Sequence, residues 1–308
     1  MTPLASALAE YLTIRRRLGF KLGRHGQLLG DFVAYIDERE AATVTTELAL
    51  AWARRPASAR PSWWGARLSV VRVFARYLKT IDPATEVPAD DLLPARSQRA
   101  TPYLYSASDI GALMAAARRH PSEHRGETYA TLIGLLAVTG MRIGEAIRLD
   151  FDDIDWAEGA LTIRASKFGK SREVVLHPTA LEAMRAYAER RQQLRPRPRT
   201  PSFFVSLAGT RLIYNNVHFT FHELVEEAGI GPCSPRCRAR PHDLRHTFAV
   251  NTLLAWYREG LDVPGRMHLL STYLGHLDPA ATYWYLSATP ELLGLVGQRL
   301  ERTLGELP

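Results

Sequence analysis

The proline-rich stretch at residues 82–102, DPATEVPADDLLPARSQRATP, constrains the fold of this chain more than any other feature. It holds four prolines and no sustained apolar period, and it separates two segments of different pattern. At roughly 150 residues per domain, 308 residues suggest two domains in any case. The stretch therefore reads as an interdomain linker, with residues 1–81 as one domain and 103–308 as another.

Residues 4 to 82 read as four helices. Leu28, Leu29, Phe32, Val33 and Ile36 form one apolar helical stripe, and Trp64, Leu68, Val71 and Leu78 form another. Arg15, Arg16, Arg17, Lys21, Arg24, Arg67, Arg72 and Arg76 fall mostly off these stripes, as expected of a small bundle with one positive face. The second segment opens with a capping box, Ser106 and Asp109, followed by helices to about Arg119, from Glu127 to Val138 and from near Met141. Two β-branched runs, Ala160–Ala165 and Arg172–His177, flank a hairpin-like turn containing Gly169. From Pro178 onward the pattern is helical, interrupted at 195–201 and 230–241, and a last amphipathic helix covers about 287–305. The fold class expected is mainly α with a small β-sheet.

Composition excludes several classes. Hydrophobic residues make up 46% and charged residues 23%, the proportions of a globular chain. No apolar run approaches the ~18 residues of a membrane span. The first segment places Glu10 in its apolar part and its arginines after it, the reverse of a secretory signal, so a cytoplasmic, nucleoid-associated location is expected. Only Cys233 and Cys237 are present, which gives no disulfide framework. Lys and Arg number 39 against 32 Asp and Glu, a net +7, and residues 1–100 hold 15 basic against 10 acidic side chains. That excess suits a polyanion partner. Lysines are confined to Lys21, Lys79, Lys167 and Lys170, against 35 arginines, so a lysine here calls for a reason.

Four local clusters carry chemistry: TGMRIGE at 139–145, KFGKSR at 167–172, HDLRH at 242–246, and YLGH followed by TYWY ending at Tyr285. Singly, each has an ordinary explanation, such as a helical ion pair, a cap or core packing. Together they supply what metal-independent phosphodiester exchange needs. Arg142 and Arg245 can clamp non-bridging oxygens with bidentate geometry. Tyr285 can be a covalent nucleophile. Lys167 can protonate the leaving oxygen, a task for which an arginine is far too weak an acid. His242 can take the tyrosyl proton, and His276 can bind the phosphate or orient the nucleophile.

The ordered set Arg, Lys, His-x-x-Arg, Leu-Gly-His and Tyr over residues 100–290 resembles the tyrosine recombinase (phage integrase) family. The resemblance implies that Arg142, Lys167, His242, Arg245 and His276 surround the scissile phosphate with Tyr285 as nucleophile, and that Glu145 orients the first arginine. It implies a helical core-binding (SAM-like) bundle in front of a mixed α/β catalytic domain, the two clamping double-stranded DNA. It implies a homotetramer, a pair of dimers on synapsed sites, with a monomer in free solution compatible, and no cofactor, metal or membrane. The wording YLGH and TYWY resembles transposon-encoded members. The last helix can pack on its own domain or dock on a neighbouring protomer.

Two assignments have competitors. Tyr283 lies roughly 200° from Tyr285 around a helix, and the interval from His276 favours Tyr285, leaving Tyr283 to packing. Lys170 competes with Lys167, which sits before the turn as the family's lysine does; Lys170 then becomes a DNA contact. Arg236, Arg238 and Arg240 are candidate phosphate-backbone contacts. Asp150, Asp152, Asp153 and Asp155 lack the Gly and Glu of a calcium loop and read as a polar connection. Cys233, Cys237 and His242 do not have zinc-finger spacing, and the two cysteines have no functional account. Rival readings are a type IB topoisomerase-like enzyme, which shares the chemistry, and a DNA-binding regulator that has lost strand exchange.

Overall fold

The computed structural model describes residues 2–94, 101–164, 171–235, 237–276, 278–287 and 290–305. It divides into two compact units, Met1–Arg99 and Ala100–Pro308.

The first unit is the expected four-helix bundle: α1 (Pro3–Arg17), α2 (Gly23–Asp37), α3 (Thr46–Arg54) and α4 (Pro61–Leu78). Local sequence starts these helices. Thr2 and Thr45 accept hydrogen bonds from the amides of Ala5 and Leu48, and α1 and α4 each begin on a proline. The predicted stripes meet inside, where Phe32, Ile36, Trp52, Leu68, Val71 and Phe74 are fully or almost fully buried.

Residues 82–94, the described first part of the stretch read as a linker, are tied to the helical unit. The Thr43 hydroxyl donates to Asp82 (2.7 Å), the Glu86 amide to the Val44 carbonyl (2.8 Å), and the Thr46 amide to the Glu86 carboxylate (2.7 Å). Arg72 completes the attachment. Its guanidinium donates to the carbonyls of Pro88 (2.7 Å) and Ala89 (2.6 Å) and pairs with Asp90 (3.0 Å), while Leu93 joins the core. A segment without periodicity can still be ordered when side chains satisfy its backbone. Arg72 is therefore a structural residue, 6% exposed, and not one of the outward cations.

The second unit opens with α5 (Ala107–Arg118), on the predicted Ser106–Asp109 capping box, and α6 (Glu123–Thr139). α6 begins a turn earlier than its periodicity indicates, with Ser122 at the N-cap position but without a side-chain cap hydrogen bond. It is buried on nearly all sides, as expected of a central helix. α7 (Ile143–Arg148) leads into an antiparallel sheet, β1 (Ile154–Asp155), β2 (Ala160–Ile163) and β3 (Arg172–Val175), in that order. The register pairs Leu161 with Val174 and Ile163 with Arg172. Helices α8 (Pro178–Leu194), α9 (Tyr214–Glu227), α10 (Asp243–Arg258), α11 (Val263–Leu274), α12 (Ala280–Tyr283), a 3-10 turn at Trp284–Ser287 and α13 (Pro290–Gly305) follow. The mainly helical class with a small sheet is thus observed. Two apolar clusters organise this unit, one around α5, α6, the sheet, α8 and α9, the other joining α10, α11, Tyr285 and Leu292. No helix among the described residues is long and apolar enough to cross a membrane.

Candidate active site

The site lies where the two clusters meet, and left-handed glycines build its frame. Gly140 ends α6 at φ 59°, and a Cβ there would stand 2.5 Å from the Phe248 ring. Gly275 ends α11 at φ 68°, where a Cβ would meet the Arg172 guanidinium at 2.9 Å. Only glycine fits either position without displacement. These turns present carbonyls to the site. Arg245 donates to Gly140 (2.9 Å) and Leu274 (2.7 Å), and Arg142 donates to Gly275 (3.1 Å).

Glu145 is the common partner of two arginines. Its carboxylate accepts from the Arg142 amide (2.9 Å) and guanidinium (2.9 Å), and from both terminal nitrogens of Arg172 (3.2 and 2.8 Å). Burial alone would raise its pKa, but the Arg172 and Arg142 hydrogen bonds and charges prevail and bring it to about 2. Glu145 therefore holds the guanidiniums of Arg142 and Arg172 in place of solvent.

Arg142 and Arg172 share the Glu145 carboxylate, Arg245 reaches only backbone carbonyls, and the excess positive charge shows in the neighbouring groups. Arg245, 2% exposed, has its pKa lowered to about 10 by desolvation and then by Arg142. His276 is lowered to about 4 by desolvation, then by Arg245 and Arg142, and is neutral near pH 7. Its Nδ1 lies 2.7 Å from the Thr282 hydroxyl. Desolvation, then His246 and Arg245, also lower the pKa of His242. Both imidazoles are brought to about 4, although His242 as a whole residue is exposed.

Tyr285 is 2% exposed, its ring 6.0 Å from His276, 5.5 Å from His246 and 5.5 Å from Trp284. Tyr283 is 51% exposed and does not take the packing role that the sequence suggested. The structure thus brings Arg142, Glu145, His242, Arg245, His276 and Tyr285 into one neighbourhood. Lys167, Lys170 and Arg236 lie outside the described residues.

The other predicted cations divide. Arg16, Arg17, Lys21 and Arg24 are exposed, and Arg24 lies over the Trp63 ring (4.6 Å). Arg15 lies over Phe20 (3.8 Å), and Arg67 lies over Trp52 (3.7 Å) while donating to its carbonyl (3.1 Å). Arg238 is exposed. Arg240 instead clamps the buried carboxylate of Asp243 through two nitrogens (2.9 and 2.7 Å). Among the aspartates that mimic a calcium loop, Asp150 pairs with Arg211 (2.6 Å), Asp153 with Arg164, and Asp155 accepts from two amides, as in a polar connection. Cys237 is buried and its thiol lies 3.5 Å from the Pro102 carbonyl, whereas Cys233 is exposed.

Sequence reasoning missed Arg172 and His246. For Arg172 a signal existed: in a strand, residues two apart share a face, and Val174 is plainly a core residue, so Arg172 had to point inward. His246 follows His242 by four positions on α10 and shares its helical face, with ring centroids 4.8 Å apart.

The model of the "Phage integrase family" matches residues 105–291. The y4rB protein of Sinorhizobium fredii (strain NBRC 101917 / NGR234), which carries an integrase/recombinase designation, is 44% identical over 308 residues, covering 98% of each chain. Among solved structures, the Tn1549 transposon integrase in complex with transposon right end DNA superposes with a TM-score of 0.65 at 16% identity, over 97% of this chain and 99% of that one. The lambda integrase tetramer bound to a Holliday junction gives 0.62 at 18% identity, over 92% and 76%. This chain therefore belongs to the phage integrase family, the tyrosine recombinases, and is a DNA-cleaving and rejoining enzyme.

Proposed function

We propose that the chain is a site-specific recombinase that cleaves one strand at a time through a 3′-phosphotyrosyl bond at Tyr285 and serves the integration, excision or transposition of a mobile element. The observation that carries this reading is the convergence of Arg142 and Arg245, anchored on the Gly275, Gly140 and Leu274 carbonyls, with His276, whose ring lies 6.0 Å from that of Tyr285. Glu145 is shared there between Arg142 and Arg172 and does not touch Arg245. A phosphodiester supplies the missing negative charge, and more of it develops as phosphorus becomes five-coordinate.

In the proposed reaction the Tyr285 hydroxyl oxygen bonds to phosphorus as the bond from phosphorus to the 5′ oxygen breaks. The tyrosyl proton passes to a neutral imidazole, that of His242, and Lys167 protonates the departing 5′ oxygen. Arg142 and Arg245, fixed by the Gly140, Leu274 and Gly275 carbonyls, hold the non-bridging oxygens. His276, neutral and anchored by Thr282, donates a further hydrogen bond. Rejoining reverses these steps with the 5′ hydroxyl of a partner strand, so one phosphodiester replaces another and no energy source is needed. The exposed arginines of the first unit add salt-sensitive, sequence-independent affinity for duplex DNA. A tetramer on paired sites is the assembly proposed, by analogy with the lambda integrase tetramer on a Holliday junction.

A nicked suicide duplex, built on the cleavage site mapped in the DNA flanking the gene, tests the reading. The wild-type chain should form a covalent adduct in EDTA and Tyr285→Phe should form none. An adduct persisting in Tyr285→Phe overturns the assignment. Cleavage that needs neither a specific site nor a paired partner favours the topoisomerase-like reading instead.

A further inference from the structure

His246 is the residue in this neighbourhood to which nothing so far assigns a task. It lies on α10 directly after Arg245, and its side chain is only 14% exposed. Its ring contacts three others: His242 at 4.8 Å and 82°, Trp284 at 5.1 Å and 59°, and Tyr285 at 5.5 Å and 62°. Its Nε2 stands 3.9 Å from the Asp243 carboxylate, which is fully buried and clamped by Arg240. The imidazole is thus lodged between a fixed charge on its own helix and the segment that carries the tyrosine.

The other rings around Tyr285 come from its own stretch of chain. Trp284 is its neighbour, and His276 belongs to the connection between α11 and α12. The His276 connection is fastened to Arg245 and Arg142 through backbone carbonyls, those of Leu274 and Gly275, and not through a ring. His246 comes instead from the helix that holds Arg245, so its edge-to-face contact ties the position of the tyrosine to that of the phosphate-binding guanidinium. We infer that His246 is a positioning residue, holding the Tyr285 ring in register with Arg245 by ring packing. This inference rests on the proposed role of Tyr285 as nucleophile.

The test compares full-length wild type, His246→Ala, His246→Phe and Tyr285→Phe on the same nicked suicide duplex. Single-turnover adduct rate, duplex affinity and melting temperature are measured for each. Misplacing a reacting group by an ångström costs on the order of a hundredfold, so His246→Ala should slow adduct formation about tenfold to a hundredfold. Duplex affinity should stay within about threefold, because a lost transition-state alignment lowers rate and not ground-state binding. His246→Phe, which keeps a flat ring without ring nitrogens, should recover most of the lost rate.

A wild-type rate in His246→Ala overturns the inference. So does a His246→Phe protein that melts like wild type yet is as slow as the alanine variant, since the imidazole nitrogens would then be what matters. Should His246→Ala fail to fold, His246→Phe decides alone. An adduct in Tyr285→Phe would defeat the nucleophile assignment itself, a result distinguishable from either outcome at His246.

Discussion

Arg72 in the first unit and Arg245 in the second are both buried guanidiniums that hydrogen-bond backbone carbonyls, yet they do different work. Arg72 meets two carbonyls and the carboxylate of Asp90, so its charge is answered within the unit. Arg245 meets two carbonyls, and desolvation together with Arg142 lowers its pKa to about 10. Buried charge is costly unless paired. The paired arginine fastens a strap, whereas the underpaired one is, on the proposed mechanism, the group that receives an anion. Burial of an arginine is therefore uninformative about function until its counter-charge is known.

Exchanging each arginine for lysine should separate the two roles. Removing one preorganised donor to a developing oxyanion costs about 10²–10³ in rate, so Arg245→Lys should slow adduct formation by that factor. Arg72→Lys should leave the rate of the bound complex nearly unchanged and lower unfolding free energy by about 1–3 kcal/mol, the cost of leaving carbonyls unsatisfied. Urea denaturation and single-turnover kinetics on both variants check this. Equal effects of the two substitutions on rate would dissolve the distinction.

Glu145 sharpens it further, because that carboxylate is the counter-charge within the site. Glu145→Gln leaves Arg142 and Arg172 facing each other without it, and breaking a buried ion pair typically costs about 3–5 kcal/mol. The adduct rate should fall as well, since Arg142 loses the partner that fixes it. Unchanged stability in Glu145→Gln would show that Arg172 is held by the Tyr273 carbonyl alone.

The last expectation is the pH dependence. The folded pKa of His276, about 4, lies below its ordinary value of 6.5. The unfolded chain therefore binds more protons between these values, and stability present above pH 6.5 is lost as pH falls toward 4. Glu145, lowered from 4.5 to about 2, adds a second loss below pH 4.5. Urea midpoints at pH 7, 5.5 and 4.5 should fall in that order, and His276→Gln should flatten the upper part of the slope. An unaltered slope in that variant would contradict the electrostatic description of the site.

Much of this was legible in the sequence for a physical reason. The stripes of α2 and α4, the Ser106 capping box and the β2–β3 hairpin are local patterns, and local patterns survive into the fold. The ordered Arg, His-x-x-Arg, Leu-Gly-His and Tyr set was legible because its chemistry restricts residue types. What escaped depends on partners distant in sequence. The attachment of residues 82–94 to the first unit was not legible because it comes from Arg72, Thr43 and Thr46. Arg72 looked like an outward cation because its acceptors lie 16 to 18 positions ahead. Arg240 looked like a phosphate contact because nothing local shows that Asp243 is fully buried. His246, the last residue of the HDLRH cluster, received no role because the tyrosine it contacts lies 39 positions away.

The most direct test of the central claim is to locate the covalent bond. After adduct formation and nuclease trimming, tryptic digestion yields one peptide spanning residues 267–299, which contains Tyr273, Tyr283 and Tyr285. Fragmentation mass spectrometry should place the nucleotide on Tyr285. A nucleotide on the exposed Tyr283, or on Tyr273, would contradict the account.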